Sequence, residues 1–113
     1  MAPLPLPLLR GTLDALVLKA LASGPMHGYE ITAWLDQRAD GNLELLDSAL
    51  YQAVYRLEAR RLVAAEWGTT AHNRQARYYS LTSAGRAHLK REVGNWLRYF
   101  ATVETILTAP HAG

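Results

Sequence analysis

The chain has 113 residues, half of them hydrophobic, no cysteine and a formal net charge of +2. That length suits one domain with a small core, and the lack of cysteine excludes disulfides, thiolate metal sites and thiol nucleophiles. Residues 1–47 carry three Lys or Arg against six Asp or Glu, a net of −3, and residues 48–113 carry nine against four, a net of +5. A basic second part suits a polyanionic partner and equally suits a solubilising surface.

Residues 1–8 read as an arm. Its Leu/Pro alternation lacks a basic start and is broken by prolines, so it makes a poor signal peptide. No apolar run approaches the ~20 residues of a membrane span. With the missing cysteines, this predicts a cytoplasmic protein without a membrane partner.

Residues 12–22 are predicted to be helical, because Leu13, Leu16, Val17, Ala20 and Leu21 recur at helical spacing. Thr12 is the expected N-cap, and Ser23-Gly24-Pro25 ends the element. A second helix is predicted from Gly28 to Ala39, with Ile31, Trp34 and Leu35 on one face and Asp40-Gly41-Asn42 as its stop. Leu43–Leu46 is too short an apolar link to classify.

A third helix is expected to start at Asp47-Ser48, two capping residues. Leu50, Ala53, Val54 and Leu57 form its buried stripe. Strands follow at 62–67 and 77–81, separated by a polar loop over 68–76. Thr82 caps the last helix, which runs to Leu107. On it Leu89, Val93, Trp96, Phe100, Val103 and Leu107 are spaced alternately by four and three, an a/d heptad seam suited to dimerisation. Residues 109–113 form a frayed tail closed by Pro110 and Gly113.

Three helices followed by a two-stranded hairpin is the order of a winged helix-turn-helix: mainly α with a small β-hairpin, here extended by a long C-terminal dimerisation helix. Residues 1–81 would form the DNA-binding domain and 82–108 the dimerisation helix. In such an arrangement the third helix enters the major groove and the wing touches backbone or minor groove. Tyr51, Gln52, Tyr55 and Arg56 share one face of that helix. Gln pairs bidentately with adenine, Arg with guanine or phosphate, and Tyr hydroxyls commonly meet phosphate oxygens. The hairpin adds Asn73, Arg74 and Arg77, and Tyr29 and Ser48 at two helix starts complete the candidate DNA contacts. A solvated helix face and an ordinary polar loop would carry the same residue types, but a nine-residue loop is longer than the two to five usual in hairpins.

Catalytic and metal-binding constellations are missing. His27, His72, His88 and His111 show no ligand pair at helical spacing, and His27 reads as structural at a helix start. There is no Gly-rich phosphate loop or nucleophile elbow. The sequence therefore predicts neither an enzyme nor a cofactor or metal.

Taken in order, Leu9-Arg10-Gly11-Thr12-Leu13, Gly24-Pro25-Met26-His27-Gly28-Tyr29, Leu50-Tyr51, Arg56-Leu57-Glu58, Glu66-Trp67-Gly68, Arg77-Tyr78-Tyr79 and Leu81-Thr82 with Gly85 resemble the PadR family of bacterial transcriptional regulators, in its short branch with a single C-terminal helix. The resemblance spans Leu9 to Leu107. It implies a homodimer made through the last helix with help from the first, double-stranded operator DNA as partner with a palindromic site, and action as a repressor. Many members sense small, often aromatic or drug-like compounds, and in some a planar ligand sits at the dimer interface. Trp96 falls where such an effector would stack. Three features depart from the family pattern. Gln52 stands where Pro is usual, Ser48-Ala49 replaces Gly-Ser or Gly-Thr, and the wing holds fewer Arg and Lys. Two alternatives stay open from the residues alone: a winged-helix protein-interaction module, and a DNA binder blind to ligands.

Overall fold

The computed structural model describes residues 4–111. Met1–Pro3 of the predicted arm and Ala112–Gly113 of the predicted tail lie outside the described residues. The elements are α1 (Thr12–Ala20), a 3-10 turn (Leu21–Ser23), β1 (Met26–His27), α2 (Gly28–Ala39), α3 (Asp47–Ala59), β2 (Val63–Thr69), β3 (Gln75–Leu81) and α4 (Ser83–Leu107). The strands form one antiparallel sheet in the order β1-β3-β2. This is a winged helix, mainly α with a small hairpin, as the periodicities predict. Strand β1, two residues long, is an addition that no sequence signal marked.

The core is built mostly from the predicted stripes, with Leu18 added to them and Leu16 only half-buried. Val17, Leu18 and Leu21, Ile31 and Leu35, and Leu50, Val54 and Leu57 are buried together, closed on one side by Val63 and Tyr79 of the sheet. Burial of such side chains stabilises by about 1.5–3 kcal/mol each. Trp34 is only half-buried, with the Arg38 guanidinium 3.8 Å above its ring. The N-terminal segment is docked: Leu6 N–H donates to Asn42 O and Glu44 N–H donates to Leu6 O, both at 2.8 Å. The link before α3 is thereby tied to residue 6 by a parallel bridge between Leu6 and Leu43.

Several local expectations are corrected. Gly11, at φ +83°, is the N-cap of α1, and Thr12 is its first helical residue. A left-handed cap suits glycine, which lacks the Cβ that makes this region costly. Leu46 precedes α3 with no side-chain cap, and Asp47 sits inside the first turn, where its charge still favours the helix dipole. The hairpin is longer than predicted: Gly68↔Ala76 and Thr69↔Gln75 continue the ladder, so the turn spans five residues, 70–74. Gly68 accommodates this, since a Cβ there would meet Tyr78 Cδ2 at 2.8 Å.

Thr82 caps α4 as predicted. Its hydroxyl accepts from Gly85 N–H at 3.0 Å and donates to Arg61 O at 2.8 Å. Only Gly85 and Leu89 of the 25-residue helix are buried. At 1.5 Å per residue the helix runs on for more than ~25 Å past Leu89, which accounts for the 65 Å long axis of the molecule.

Candidate nucleic-acid interface and dimer face

The start of α2 is set by His27. Its Nδ1 accepts from Glu30 N–H at 3.3 Å, and the Glu30 carboxylate accepts from His27 N–H at 3.2 Å, a reciprocal capping box. Because Nδ1 accepts, the ring proton sits on Nε2, 3.3 Å from the same Glu30 oxygen. The imidazole also meets the Tyr78 ring edge-on at 5.4 Å, which fixes α2 against β3. His27 is thus structural at a helix start, as its position predicts.

Tyr51 of α3 packs over Gly28. A Cβ at Gly28 would fall 2.6 Å from Tyr51 Cε1, so the ring holds this place only because residue 28 is glycine. Ser48, Gln52, Tyr55 and Arg56 are exposed beside Tyr51. The predicted common face therefore exists as a surface. Tyr29 stands out from α2 and is 76 % exposed.

Two of the three candidate arginines are ion-paired within the chain. Arg56 Nη2 lies 2.6 Å from Asp14 Oδ1, bridging α3 to α1, and Arg77 Nη2 lies 2.6 Å from Glu58 Oε2, bridging β3 to α3. In both, the hydrogen bond to the carboxylate holds the guanidinium pKa above its ordinary value. Among the described residues no carboxylate pairs with Arg74. The wing tip is tight: Thr70 Oγ1 accepts from His72 N–H at 3.3 Å and Arg74 N–H at 3.2 Å. Asn73 turns the chain at φ +60°, a conformation Asn tolerates better than most residues.

These parts enclose a groove of about 1090 Å³ between the start of α2, Tyr51 and the wing. Tyr29, Tyr51, Arg74 and Arg77 line it together with His72 and Tyr78. Ser48, Gln52, Tyr55, Arg56 and Asn73 do not. Tyr78 was not among the sequence candidates, and its place at the register position opposite His27 is the feature that brings it in.

The distal part of α4 is apolar and uncovered. Val93, Leu97, Tyr99, Phe100, Ile106 and Leu107 are exposed, Phe100 by 45 %, and Trp96 and Val103 are half-buried. Leu89 departs from the predicted seam: it is 8 % exposed and belongs to the protomer's own core, so it is unavailable to a partner. Trp96 stacks obliquely on Phe100 with centroids 5.3 Å apart and meets Tyr99 edge-on at 6.0 Å. Beside it, Leu9, Arg10, Asn95 and Tyr99 help line a hollow of about 670 Å³. Trp96 Nε1 is buried without a hydrogen-bond partner, as is Thr12 Oγ1.

The model of the transcriptional regulator PadR-like family matches residues 17–91. An uncharacterised protein of Lysinibacillus sphaericus is 29 % identical over 89 residues, covering 79 % of this chain and 82 % of that one. An uncharacterised 37.1 kDa protein in a Streptomyces fradiae transposon is 41 % identical over 83 residues, covering 74 % of this chain and 22 % of that protein's length. Among solved structures, a PadR family transcriptional regulator from Eggerthella lenta superposes with a TM-score of 0.70 at 31 % identity, over 89 % of this chain and 86 % of that one. No helix among the described residues is long and apolar enough to cross a membrane.

Proposed function

The chain belongs to the PadR-like family of transcriptional regulators, a family of DNA-binding proteins rather than enzymes, and from that we propose that it is a homodimeric, sequence-specific repressor released from its operator by a small planar ligand. The observation that carries the DNA-binding part is the groove that joins Tyr29 of α2, Tyr51 of α3 and Arg74 of the wing. A hydroxyl-lined channel with an unpaired cation at its rim suits a phosphodiester strand. The exposed face of α3 beside it would then enter the major groove, with Gln52 toward base edges and Arg56 and Ser48 nearer the backbone. Asn73, Arg74 and Arg77 would grip flanking phosphates.

Dimerisation is supported by the uncovered face of α4. Val93, Phe100 and Leu107 continue with Trp96 and Val103 along one a/d seam, and Tyr99 and Ile106 widen it on one flank. Such a stripe stays out of water only against a partner, and an isologous pairing of two copies would place two α3 helices symmetrically on a palindromic site. The ligand reading rests on the hollow of about 670 Å³ that Trp96 lines with Tyr99, Leu9 and Arg10. A planar compound would stack on the Trp96 and Tyr99 rings at its wall. To switch the protein, the compound must bind the two dimer forms with different affinity.

The test is fluorescence anisotropy with labelled duplex from upstream of the protein's own gene, against scrambled duplex, over a range of salt. Tighter binding to the upstream duplex, falling steeply with salt, supports a sequence-specific regulator. Equal weak binding points to a DNA binder without operator preference. No binding at low salt favours a protein-interaction module. Quenching of Trp emission by planar aromatic compounds, with loss of operator binding, tests the release step.

A further inference from the structure

One large aromatic side chain on the wing belongs to none of these parts. Trp67 is 70 % exposed, whereas Trp34 and Trp96 are half-buried. Along β2 the alternate residues Val63, Ala65 and Trp67 share one face, and they emerge progressively, from buried through half-buried to exposed. Their partners on β3 are Leu81, Tyr79 and Arg77. Trp67 therefore stands opposite Arg77, just beyond the point where this face of the hairpin leaves the core and three residue pairs from the wing tip. Arg77 in turn reaches Glu58 of α3 and lines the groove.

Burying an indole is worth more than burying almost any other side chain, so an exposed one at this place needs a reason. Its strand face holds Thr69, Gln75 and Arg77 and no carboxylate, since Glu66 points to the opposite face, across from Tyr78. Glu58, the acid nearest this face, is already neutralised by Arg77. A docking site for another protein would call for a contiguous apolar patch, and here a single indole lies among the polar Thr69 and Gln75 and an arginine already paired with Glu58. A flat apolar face with one N–H donor, on a polar wing whose turn carries Arg74 paired with no carboxylate among the described residues, matches deoxyribose and phosphate.

We propose that Trp67 is a DNA-contacting residue: its ring packs on the sugar edge of the strand that borders the wing, and its Nε1–H donates to a phosphate oxygen. This deepens the DNA-binding reading above and rests on it. The contact carries no charge and reads no base. It contributes affinity on every sequence without releasing a counterion.

The anisotropy measurement with upstream and scrambled duplex, repeated on Trp67→Ala, Trp67→Phe and Arg74→Ala, tests this. Trp67→Ala is expected to weaken both duplexes about tenfold, the scale of losing one aromatic contact to nucleic acid, with the salt slope of the wild type. Arg74→Ala is expected to lower the slope by about one. Trp67→Phe keeps an aromatic face and recovers part of the loss, and it serves should the alanine variant not fold. Wild-type affinity in Trp67→Ala, or in Trp67→Phe where that is the folded variant, overturns the assignment. So does a Trp67→Ala protein whose salt slope falls as in Arg74→Ala, which would mean that the indole acts by holding Arg77. Wild-type protein that binds neither duplex sinks the DNA-binding reading and Trp67 with it. Wild-type binding beside an indifferent Trp67 sinks this assignment alone.

Discussion

Tyr51 rests on Gly28, and the ring occupies the space that any other residue's Cβ would need. The contact ties the first turn of α2 to the exposed face of α3, so it sets where the Tyr51 hydroxyl lies in the groove. Gly28→Ala is expected to push Tyr51 out of that place. The backbone tolerates the change, since alanine is the better helix former, but overpacking costs about 1–3 kcal/mol. The expected outcome is a lower melting temperature with unchanged helix content, and operator affinity reduced about tenfold. Operator binding at wild-type strength would mean that Tyr51 has no part in it.

Glu58 holds the Arg77 guanidinium at 2.6 Å, beside the groove that Arg77 lines. Replacing it by Gln removes the charge and keeps the shape. Arg77 is then expected to turn toward an approaching phosphate, which adds one released counterion. Non-specific duplex binding should tighten several-fold at low salt, and the salt slope should steepen by up to about one. A flat response in anisotropy would assign Arg77 to holding the wing on α3 and nothing else.

How far the sequence speaks follows from what is local. The stripes Val17/Leu21, Ile31/Leu35 and Leu50/Val54/Leu57 repeat within one helix turn and fix three helices and their buried faces. The run Arg77-Tyr78-Tyr79-Ser80-Leu81 reads as a strand. The common face of Tyr51, Gln52, Tyr55 and Arg56 follows from helix geometry alone. What stays hidden depends on partners far along the chain. Nothing near Arg56 announces Asp14, 42 residues away, and nothing near Gly28 announces the Tyr51 ring. Thr69 and Gln75 suit a loop as well as a strand, so the wing turn reads too long. The heptad seam reports a continuous apolar stripe but not where the helix leaves the body, so Leu89 and Val93 look alike although only the first lies in the core.

That division makes a paired prediction. Leu89→Ala opens a cavity inside the protomer and is expected to cost about 2–5 kcal/mol of folding stability, visible as a lower denaturant midpoint. Trp96→Ala leaves the protomer's core intact and removes a large part of the α4 face. It is expected to raise the dimer dissociation constant, which sedimentation velocity over a dilution series reads directly. A Trp96→Ala protein that stays dimeric at every dilution, or a Leu89→Ala protein that dissociates without losing stability, would reverse the assignment of the two residues.

Tyr79 gives the fold an alkaline limit. Burial pushes its phenol pKa above the ordinary value, more than the nearby Arg77 charge pulls it down, so the folded state favours the neutral form. Its contribution to stability is fully present below the unfolded value of about 10. The contribution is lost as pH rises through the higher folded value, because the unfolded chain releases that proton more readily. Tyr79→Phe keeps the ring in the core and removes the titration. Melting temperatures of the two proteins, measured from pH 8 to 11 (about the span of tyrosine titration), should differ by a constant amount at the lower end. Above about pH 10 the wild type should fall more steeply. Parallel curves across the whole range would mean that the phenol is solvated in the folded protein and that the limit lies elsewhere.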